Sequence, residues 1–291
     1  MKEKSSYALD FTTSVLKMVF ETEDEPLIFE RFVDLVKDYT QCHAVGIRLR
    51  RDDASIAYVA YHGFSEEFLA LENNLSLHKD RCMCISVLRG DVPASKPFFT
   101  KGGSFVVNGT SKFLSSVTEE ERGNTRNTCY DQGYESVALI PMRLENQILG
   151  LVQVVSKYTN QFPQDKVSVL EGAALALATA YQRIVAQREL KKQSERLRAL
   201  TVRLSEVEER ERKRIAENLH DNLGQVLAVA KMKSQALGAD DIVELLDVAI
   251  TQTRQLTSEL MSPVLYELGL AAALEQLVED ALNEIDRKKI P

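Results

Sequence analysis

A histidine and an aspartate stand next to each other within a charged segment of this chain, at His220 and Asp221, and Gln225 follows four residues after the aspartate. An imidazole beside a carboxylate can act as a nucleophile, because the carboxylate takes the proton of one ring nitrogen and leaves the other nitrogen free to attack. Phosphoryl transfer needs an accessible nitrogen of this kind. The amide lies one helical turn after Asp221, where it could position a water for the reverse, hydrolytic step. On residue types and spacing alone, an ordinary surface pair remains the alternative.

Cysteines form the second candidate site, and all of them lie in the first half of the chain. They are Cys42, Cys82, Cys84 and Cys129. The spacing of Cys82 and Cys84 can aim two thiolates at one centre from an extended segment. The four cysteines suffice for an iron-sulfur cluster or a zinc ion, and His43, His62 and His78 are available as further ligands. A single cysteine or histidine suffices to hold a haem.

Three other interpretations of this region need no metal or haem. A thiol–disulfide switch could form among the last three cysteines. All four could also be ordinary core residues, because free cysteine is among the most buried residue types. An anionic small molecule could instead pair with Arg81, Arg126 or Arg143. A cofactor, a redox switch, an anion site and a purely structural role therefore all remain open.

The composition of the chain excludes several classes of protein. Its 291 residues carry 36 Lys and Arg against 43 Asp and Glu, a net charge of −7, which argues against nucleic-acid binding through bulk charge. No stretch approaches the ~20 apolar residues of a membrane-spanning helix. The first residues lack the apolar core of a signal peptide. We therefore expect a cytoplasmic protein without membrane insertion or direct DNA binding.

Glycine and proline divide the chain into two halves. Most of both residue types precede residue 164, whereas residues 173–223 contain neither. We predict a turn-rich first half with helices at 7–20 and from Pro26, strands at 44–50 and 55–61, a short helix at 65–71, an irregular connection at 79–135, and strands at 136–144 and 148–155. This order describes an α+β domain with a central antiparallel sheet.

The last two of these strands resemble the closing hairpin of the GAF family, a small-molecule and redox sensing module. The residues concerned are ESVALIPM (135–142) and ILGLVQV (148–154). The resemblance covers roughly residues 20–180. A PAS domain is the nearest rival, but the two leading helices and this hairpin favour GAF.

Helical periodicity dominates the second half of the chain. Leu170, Leu177 and Ile184 are seven residues apart, and a 3-4-3 spacing follows at Leu197, Leu200, Leu204 and Val207. Such spacing is typical of the seam of a parallel two-stranded coiled coil, although the charged positions around it could equally form a solvated helix face. We therefore predict a homodimer with a long signalling helix.

Two segments resemble sensor histidine kinases of the nitrate-, nitrite- and oxygen-sensor type. They are ERKRIAENLHDNLGQVL (211–227) and TRQLTSELMSPVLYELGL (253–270). The resemblance implies that His220 accepts phosphate, that Asp221 is its acid–base partner, and that Gln225 assists dephosphorylation of the partner. It also implies an antiparallel hairpin of residues 205–237 and 241–261 that dimerises into a four-helix bundle, and phosphotransfer to the receiver domain of a response regulator.

This chain departs from that family in its ATP-binding part. The ATPase domain, which would supply ATP and Mg, is expected after residue 291, so we expect this piece of the kinase to be inactive alone. The alternative is a non-catalytic GAF and coiled-coil scaffold with an incidental His-Asp pair. The predicted segments are a GAF-like sensor domain (1–180), a coiled-coil helix (181–207), an all-α dimerisation and histidine phosphotransfer hairpin (208–275) and a linker (276–291).

Overall fold

The computed structural model divides the chain into two compact units, residues 1–190 and 191–291. It describes residues 2–51, 53–73, 75–91, 96–118 and 126–260, and also residues 271, 274, 275, 277, 278 and 282. Most of the predicted linker at 276–291 and the kinase-like residues 261–270 therefore lie outside the described residues.

A five-stranded antiparallel sheet forms the centre of the first unit. Its strand order is β2-β1-β5-β4-β3. The strands are β1 (Ala44–Leu49), β2 (Tyr58–His62), β3 (Phe105–Val107), β4 (Ser136–Leu144) and β5 (Gln147–Ser156). β4 and β5 form the predicted hairpin, with Glu145 of its turn at a left-handed φ of 53°. The predicted α+β architecture with an antiparallel sheet is confirmed.

Helices pack on both faces of this sheet and give the unit two hydrophobic cores. On one face lie α1 (Lys2–Glu21), α2 (Glu25–Thr40) and the start of the long helix α7 (Gln164–Asn218). The other face is covered by α3 (Glu66–Glu72), α4 (Met83–Arg89), α5 (Thr110–Ser116) and α6 (Thr128–Asp131). α2 begins where predicted, because the Asp24 side chain accepts a hydrogen bond from the Leu27 backbone N–H (2.9 Å) and Pro26 stands in the first turn.

The connection at 79–135 differs from the prediction of an irregular segment. Its described residues contain α4, β3, α5 and α6. Five of the seven residues of α4 are buried, so the helix has no polar face and no amphipathic period to reveal it. β3 has three residues, which is too short to show strand alternation.

α7 is a continuous helix of 55 residues, as the absence of glycine and proline from residues 173–223 predicts. Leu170, Leu177 and Ile184 are buried in the first core, so the first of the two repeats serves to pack the helix onto the sheet. The later repeat at Leu197, Leu200, Leu204 and Val207 is between 46% and 70% exposed.

The second unit continues from α7 through a π-helical turn (Leu219–Gly224) into α8 (Gln225–Ala236) and α9 (Asp240–Leu260). α8 and α9 form the predicted hairpin: Gly238 turns the chain with a φ of +67°, and the Lys231 ammonium pairs with the Asp247 carboxylate. Among the described helices, none combines the length and the hydrophobicity of a membrane-spanning segment.

Helical spacing predicts that Ile215, Leu219, Leu223 and Val226 (or Leu227) form one buried stripe near His220, but the structure does not bury this stripe in a single chain. Ile215, Leu223 and Val226 are all exposed, and Ala216 and Thr253 are the only buried residues among those that the structure describes in the second unit. The prediction of a buried stripe is therefore wrong for the isolated protomer, because one hairpin cannot cover all sides of its own helices.

Candidate functional site

Three of the four cysteines meet at one cavity, on the sheet face covered by α3 to α6. The cavity has a volume of about 70 Å³ and its wall is mostly apolar. The wall includes Glu72, Cys82, Cys84, Phe105, Phe113 and Cys129. This volume accommodates a few water molecules or a very small solute, because one water needs only ~10–15 Å³ by this measure.

Gln153 of β5 joins two of these cysteines to a tyrosine. Its side chain is buried, with 1% of the residue exposed. The Tyr58 hydroxyl donates to Gln153 Oε1 at 2.7 Å, and Cys84 Sγ lies 3.8 Å from the same oxygen. Gln153 Nε2 donates to Cys129 Sγ at 3.4 Å. The buried amide thereby finds partners for both its polar atoms, as a buried polar group must.

The three thiols differ strongly in acidity. The pKa of Cys82 is lowered to about 7, chiefly because the Cys84 thiol donates a hydrogen bond to its sulfur, while burial opposes the shift. The pKa of Cys84 is raised well above its ordinary value by that same hydrogen bond and by burial. Burial is also the main cause that raises the pKa of Cys129. At neutral pH, Cys82 is therefore the thiol with the largest thiolate fraction.

A buried ion pair lies beside this cluster. The Arg48 guanidinium is fully buried, 3.8 Å above the centre of the Tyr58 ring, and its Nη1 donates to the Ile56 carbonyl at 2.8 Å. Arg48 Nη2 lies 3.7 Å from Glu72 Oε2, and Arg126 Nε lies 3.2 Å from Glu72 Oε1. Glu72 therefore compensates two positive charges at the edge of the cavity.

The fourth cysteine does not belong to this cluster. Cys42 is buried in the other core, on the opposite face of the sheet. The predicted accessory ligands are engaged elsewhere: His43 Nδ1 lies 3.1 Å from Ser156 Oγ, and His62 Nδ1 lies 3.2 Å from Asp34 Oδ1. The structure thus does not bring the predicted set of four cysteines together.

The described residues give no support for the cofactors predicted from the sequence. Among the described residues, no three or more His, Cys, Asp or Glu side chains are placed to hold one metal ion. The cavity volume is also far below the ~300–1,000 Å³ of typical small-molecule sites. Within this part of the chain, the donor set of an iron-sulfur cluster or a zinc ion is therefore not assembled.

β3 connects the cavity wall to the beginning of α7. Phe105 of this strand lines the cavity, and the preceding Ser104 donates from its hydroxyl to Glu171 Oε1 of α7 at 2.6 Å. After the strand, Asn108 forms two hydrogen bonds with Phe162, which stands two residues before α7: its Nδ2 donates to the carbonyl (2.7 Å), and its Oδ1 accepts from the backbone N–H (2.9 Å). Side-chain hydrogen bonds at both ends of β3 thus join the cavity wall to residues in or just before α7.

The second candidate site lies on the second unit. His220 and Asp221 stand in the π-helical turn and Gln225 directly follows it, and all three side chains are exposed. An accessible imidazole is what phosphoryl transfer requires. The wider π-helical turn changes the angles between successive side chains from those of the α-helix assumed in the prediction, and such turns occur frequently at functional sites.

Sequence reasoning missed Arg48, Tyr58, Glu72 and Gln153. A signal for Gln153 exists, because it is the one polar side chain in the apolar run LGLVQVV (149–155). A polar residue inside a buried strand indicates a buried partner. Nothing local in the sequence indicates that Arg48 and Glu72 meet, since 23 residues separate them and their pairing depends on the sheet.

Comparisons with known proteins match each unit to a family. Residues 24–181 match the family described as GAF domain, and residues 211–265 match the family described as histidine kinase. The sensor histidine kinase MctS of Rhizobium johnstonii is 41% identical over 95 residues, which are 28% of this chain and 21% of that protein. This chain therefore covers about a fifth of the length of that relative.

Solved structures with a similar fold include the GAF domain of an Acinetobacter phosphoenolpyruvate-protein phosphotransferase. It is 15% identical, with a TM-score of 0.45, and the match covers 61% of this chain and 94% of that one. The free methionine-R-sulfoxide reductase of Neisseria meningitidis, in complex with its substrate, is 11% identical with a TM-score of 0.48 over 64% of this chain and 93% of that one.

Proposed function

Because this chain belongs to the GAF domain family through residues 24–181 and matches histidine kinases over residues 211–265, we propose that it senses a signal in its first unit and accepts phosphate on His220. The single observation that carries the proposal is the position of His220. It lies inside the histidine kinase match, in a turn where its side chain is exposed.

The chemistry follows from the two neighbouring side chains. A ring nitrogen of His220 attacks the γ-phosphorus of ATP, the bond to the bridging oxygen breaks, and ADP leaves. ATP and Mg²⁺ are held by an ATP-binding domain, and Asp221 takes the proton of the imidazole and orients it. The phosphate then passes to an aspartate of a receiver domain in a response regulator. Gln225 positions the water that removes phosphate from this partner.

The phosphoacceptor hairpin acts as a homodimer in this proposal. The seam residues of α7 and the stripe next to His220 are apolar and exposed in one protomer. A second copy would cover both surfaces, because the 3-4-3 spacing is self-complementary in a parallel coiled coil.

In this proposal, the signal acts at the cavity of the GAF unit. A small molecule or a redox change at this cavity shifts β3, and the hydrogen bonds of Ser104 and Asn108 pass the shift to α7. α7 continues without a break to Asn218, two residues before His220.

The test is phosphorylation with labelled ATP, with the ATP-binding domain of a related kinase supplied as a separate protein. We expect the wild-type chain to be labelled and His220→Gln to lose all label. The matched control is His78→Gln, which removes an exposed histidine of the first unit and should keep full labelling. Equal labelling of His220→Gln and wild type would contradict the proposal and favour a non-catalytic scaffold.

A further inference from the structure

We propose that the GAF unit carries a peroxide-reactive dithiol, in which Cys82 is oxidised by a hydroperoxide and Cys84 then closes a disulfide with it. The proposal deepens the sensor role and rests on it for its biological meaning. Its chemistry is tested on the thiols themselves, so the chemical test succeeds or fails independently of the kinase assignment.

Both thiol residues line the same cavity at the point where α4 begins. Cys82 is the extended residue directly before the helix, with φ −154° and ψ 158°, and it is half-buried on the cavity wall. Cys84 lies in the first turn and is buried. The thiol proton of Cys84 has two acceptors, the sulfur of Cys82 and Gln153 Oε1 at 3.8 Å. A thiolate is the stronger acceptor, so ionised Cys82 keeps the Cys84 thiol directed at its own sulfur.

The surroundings favour the thiolate at Cys82 in particular. Besides the Cys84 thiol, the backbone N–H groups of Cys84 and Arg126 interact with its sulfur, and together they lower its pKa to about 7. The carboxylate of Glu72 acts against ionisation, but it is itself paired with Arg48 and Arg126. A small hydroperoxide fits the cavity of about 70 Å³ that Cys82 lines.

The reaction balances without any further reactant. The Cys82 thiolate attacks the terminal oxygen of the hydroperoxide, the O–O bond breaks, and the alkoxide leaves and takes a proton from water. Cys82 is then a sulfenic acid. The sulfur of Cys84 attacks the sulfur of Cys82, the S–O bond breaks, and hydroxide leaves with the Cys84 proton as water. Two thiols have supplied two electrons, and one hydroperoxide has become one alcohol and one water.

The second step is assisted by the first. The causes that raise the pKa of Cys84 include its hydrogen bond to Cys82 and the negative charge of Cys82. Oxidation of Cys82 to the neutral sulfenic acid removes this charge, so the pKa of Cys84 falls when its thiol is required as a nucleophile.

Cys129 and Cys42 serve as controls within the same chain. The sulfur of Cys129 accepts a hydrogen bond from Gln153 Nε2, and burial raises its pKa. Cys42 is buried on the other face of the sheet, where burial likewise raises its pKa. Neither of them is expected to react at neutral pH.

The experiment treats the full chain with hydrogen peroxide, alkylates the remaining thiols under denaturing conditions, and digests it with trypsin. Cleavage after Arg81 and Arg89 releases residues 82–89, which contain both thiols. We expect this peptide to become lighter by two hydrogens, to escape alkylation, and to regain both alkylation sites after treatment with dithiothreitol. Oxidation of Met83 adds an oxygen instead and is distinguished by mass.

Variants separate the two roles. Cys84→Ser should stop at a Cys82 sulfenic acid that dimedone traps, Cys82→Ser should leave Cys84 reduced, and Cys129→Ser should react as wild type does. The rate should rise about tenfold between about pH 6 and about pH 8, because the thiolate of Cys82 is present above its pKa. A disulfide that includes Cys129, or oxidation of Cys84 in Cys82→Ser at the wild-type rate, would overturn the proposal.

Discussion

At the scale of single residues, Glu72 is the acidic partner of a buried ion pair in the GAF unit. It ends α3, is buried, and pairs with the fully buried Arg48 and with Arg126. Removing one partner of a buried pair is costly, because the other charge stays in a medium that solvates it poorly. Arg48 would keep its hydrogen bond to the Ile56 carbonyl and its contact with the Tyr58 ring, but neither supplies a compensating negative charge.

We expect Glu72→Gln to destabilise the chain by about 3–5 kcal/mol, because it leaves the Arg48 charge buried and uncompensated. The measurement is urea unfolding followed by a signal of the first unit. Glu67→Gln is the matched control, since Glu67 lies on the same helix but is exposed, and it should change stability by less than ~0.5 kcal/mol. Equal stability of the two variants would show that the ion pair does not stabilise the fold.

The cysteines show which part of a site can be predicted from the sequence without a structure. The sequence predicts that Cys82 and Cys84 can act together, because their spacing is local. Whether Cys129 joins them and Cys42 does not depends on which face of the sheet each one occupies. The face that each cysteine occupies is set by the tertiary fold. The sequence alone therefore could not show that Cys42 is separate from the other three cysteines.

At the scale of elements, β3 is the short strand that links the cavity to α7. It is the last strand of the sheet, pairs with β4 on one side, and on the other side forms a bridge between Phe105 and Phe99. Side-chain hydrogen bonds at both of its ends hold it to residues in or just before α7.

We expect Asn108→Ala to loosen the start of α7, because the two hydrogen bonds to Phe162 are lost at a cost of about 1 kcal/mol each. Hydrogen exchange of the Phe162 amide should accelerate about 30-fold, the equivalent of ~2 kcal/mol of local stability. Asn146→Ala, in the exposed turn between β4 and β5, is the control and should leave this exchange unchanged. Unchanged exchange in Asn108→Ala would exclude this link.

The elements differ in how well the sequence predicts them. α7 and the β4–β5 hairpin are long and strongly periodic, and both are confirmed. The residues between 79 and 135 form short elements whose side chains are buried nearly all round or are too few to show a period. Hydrophobic periodicity arises only where an element has one buried face and one exposed face. An element without these two faces therefore cannot be predicted from periodicity.

At the scale of the whole molecule, one helix runs from the GAF unit into a hairpin that matches histidine kinases over residues 211–265. Apolar side chains remain exposed on α7 and beside His220, where a soluble monomer would not be expected to keep them. A second copy of the chain would cover these surfaces. Dimerisation is therefore part of the proposed function at this scale.

We expect the wild-type chain to sediment as a dimer and the double variant Leu197→Glu, Leu204→Glu to shift to the monomer, because four like charges would then face each other across the seam. Arg203→Glu is the control, since it also adds negative charge next to the seam but lies outside the 3-4-3 pattern. Analytical ultracentrifugation over a range of concentrations gives the answer. A wild-type monomer at all concentrations would contradict the proposed dimer.

The central claim is that His220 is the residue that carries phosphate, and peptide mapping tests it most directly. Trypsin cleavage after Arg214 and Lys231 releases residues 215–231, in which His220 is the one histidine. After incubation with ATP and an ATP-binding domain, we expect one added phosphate on this peptide, lost in acid and retained in alkali. A phosphate mapped to any other peptide, or an unmodified peptide 215–231 beside an active ATP-binding domain, would contradict it.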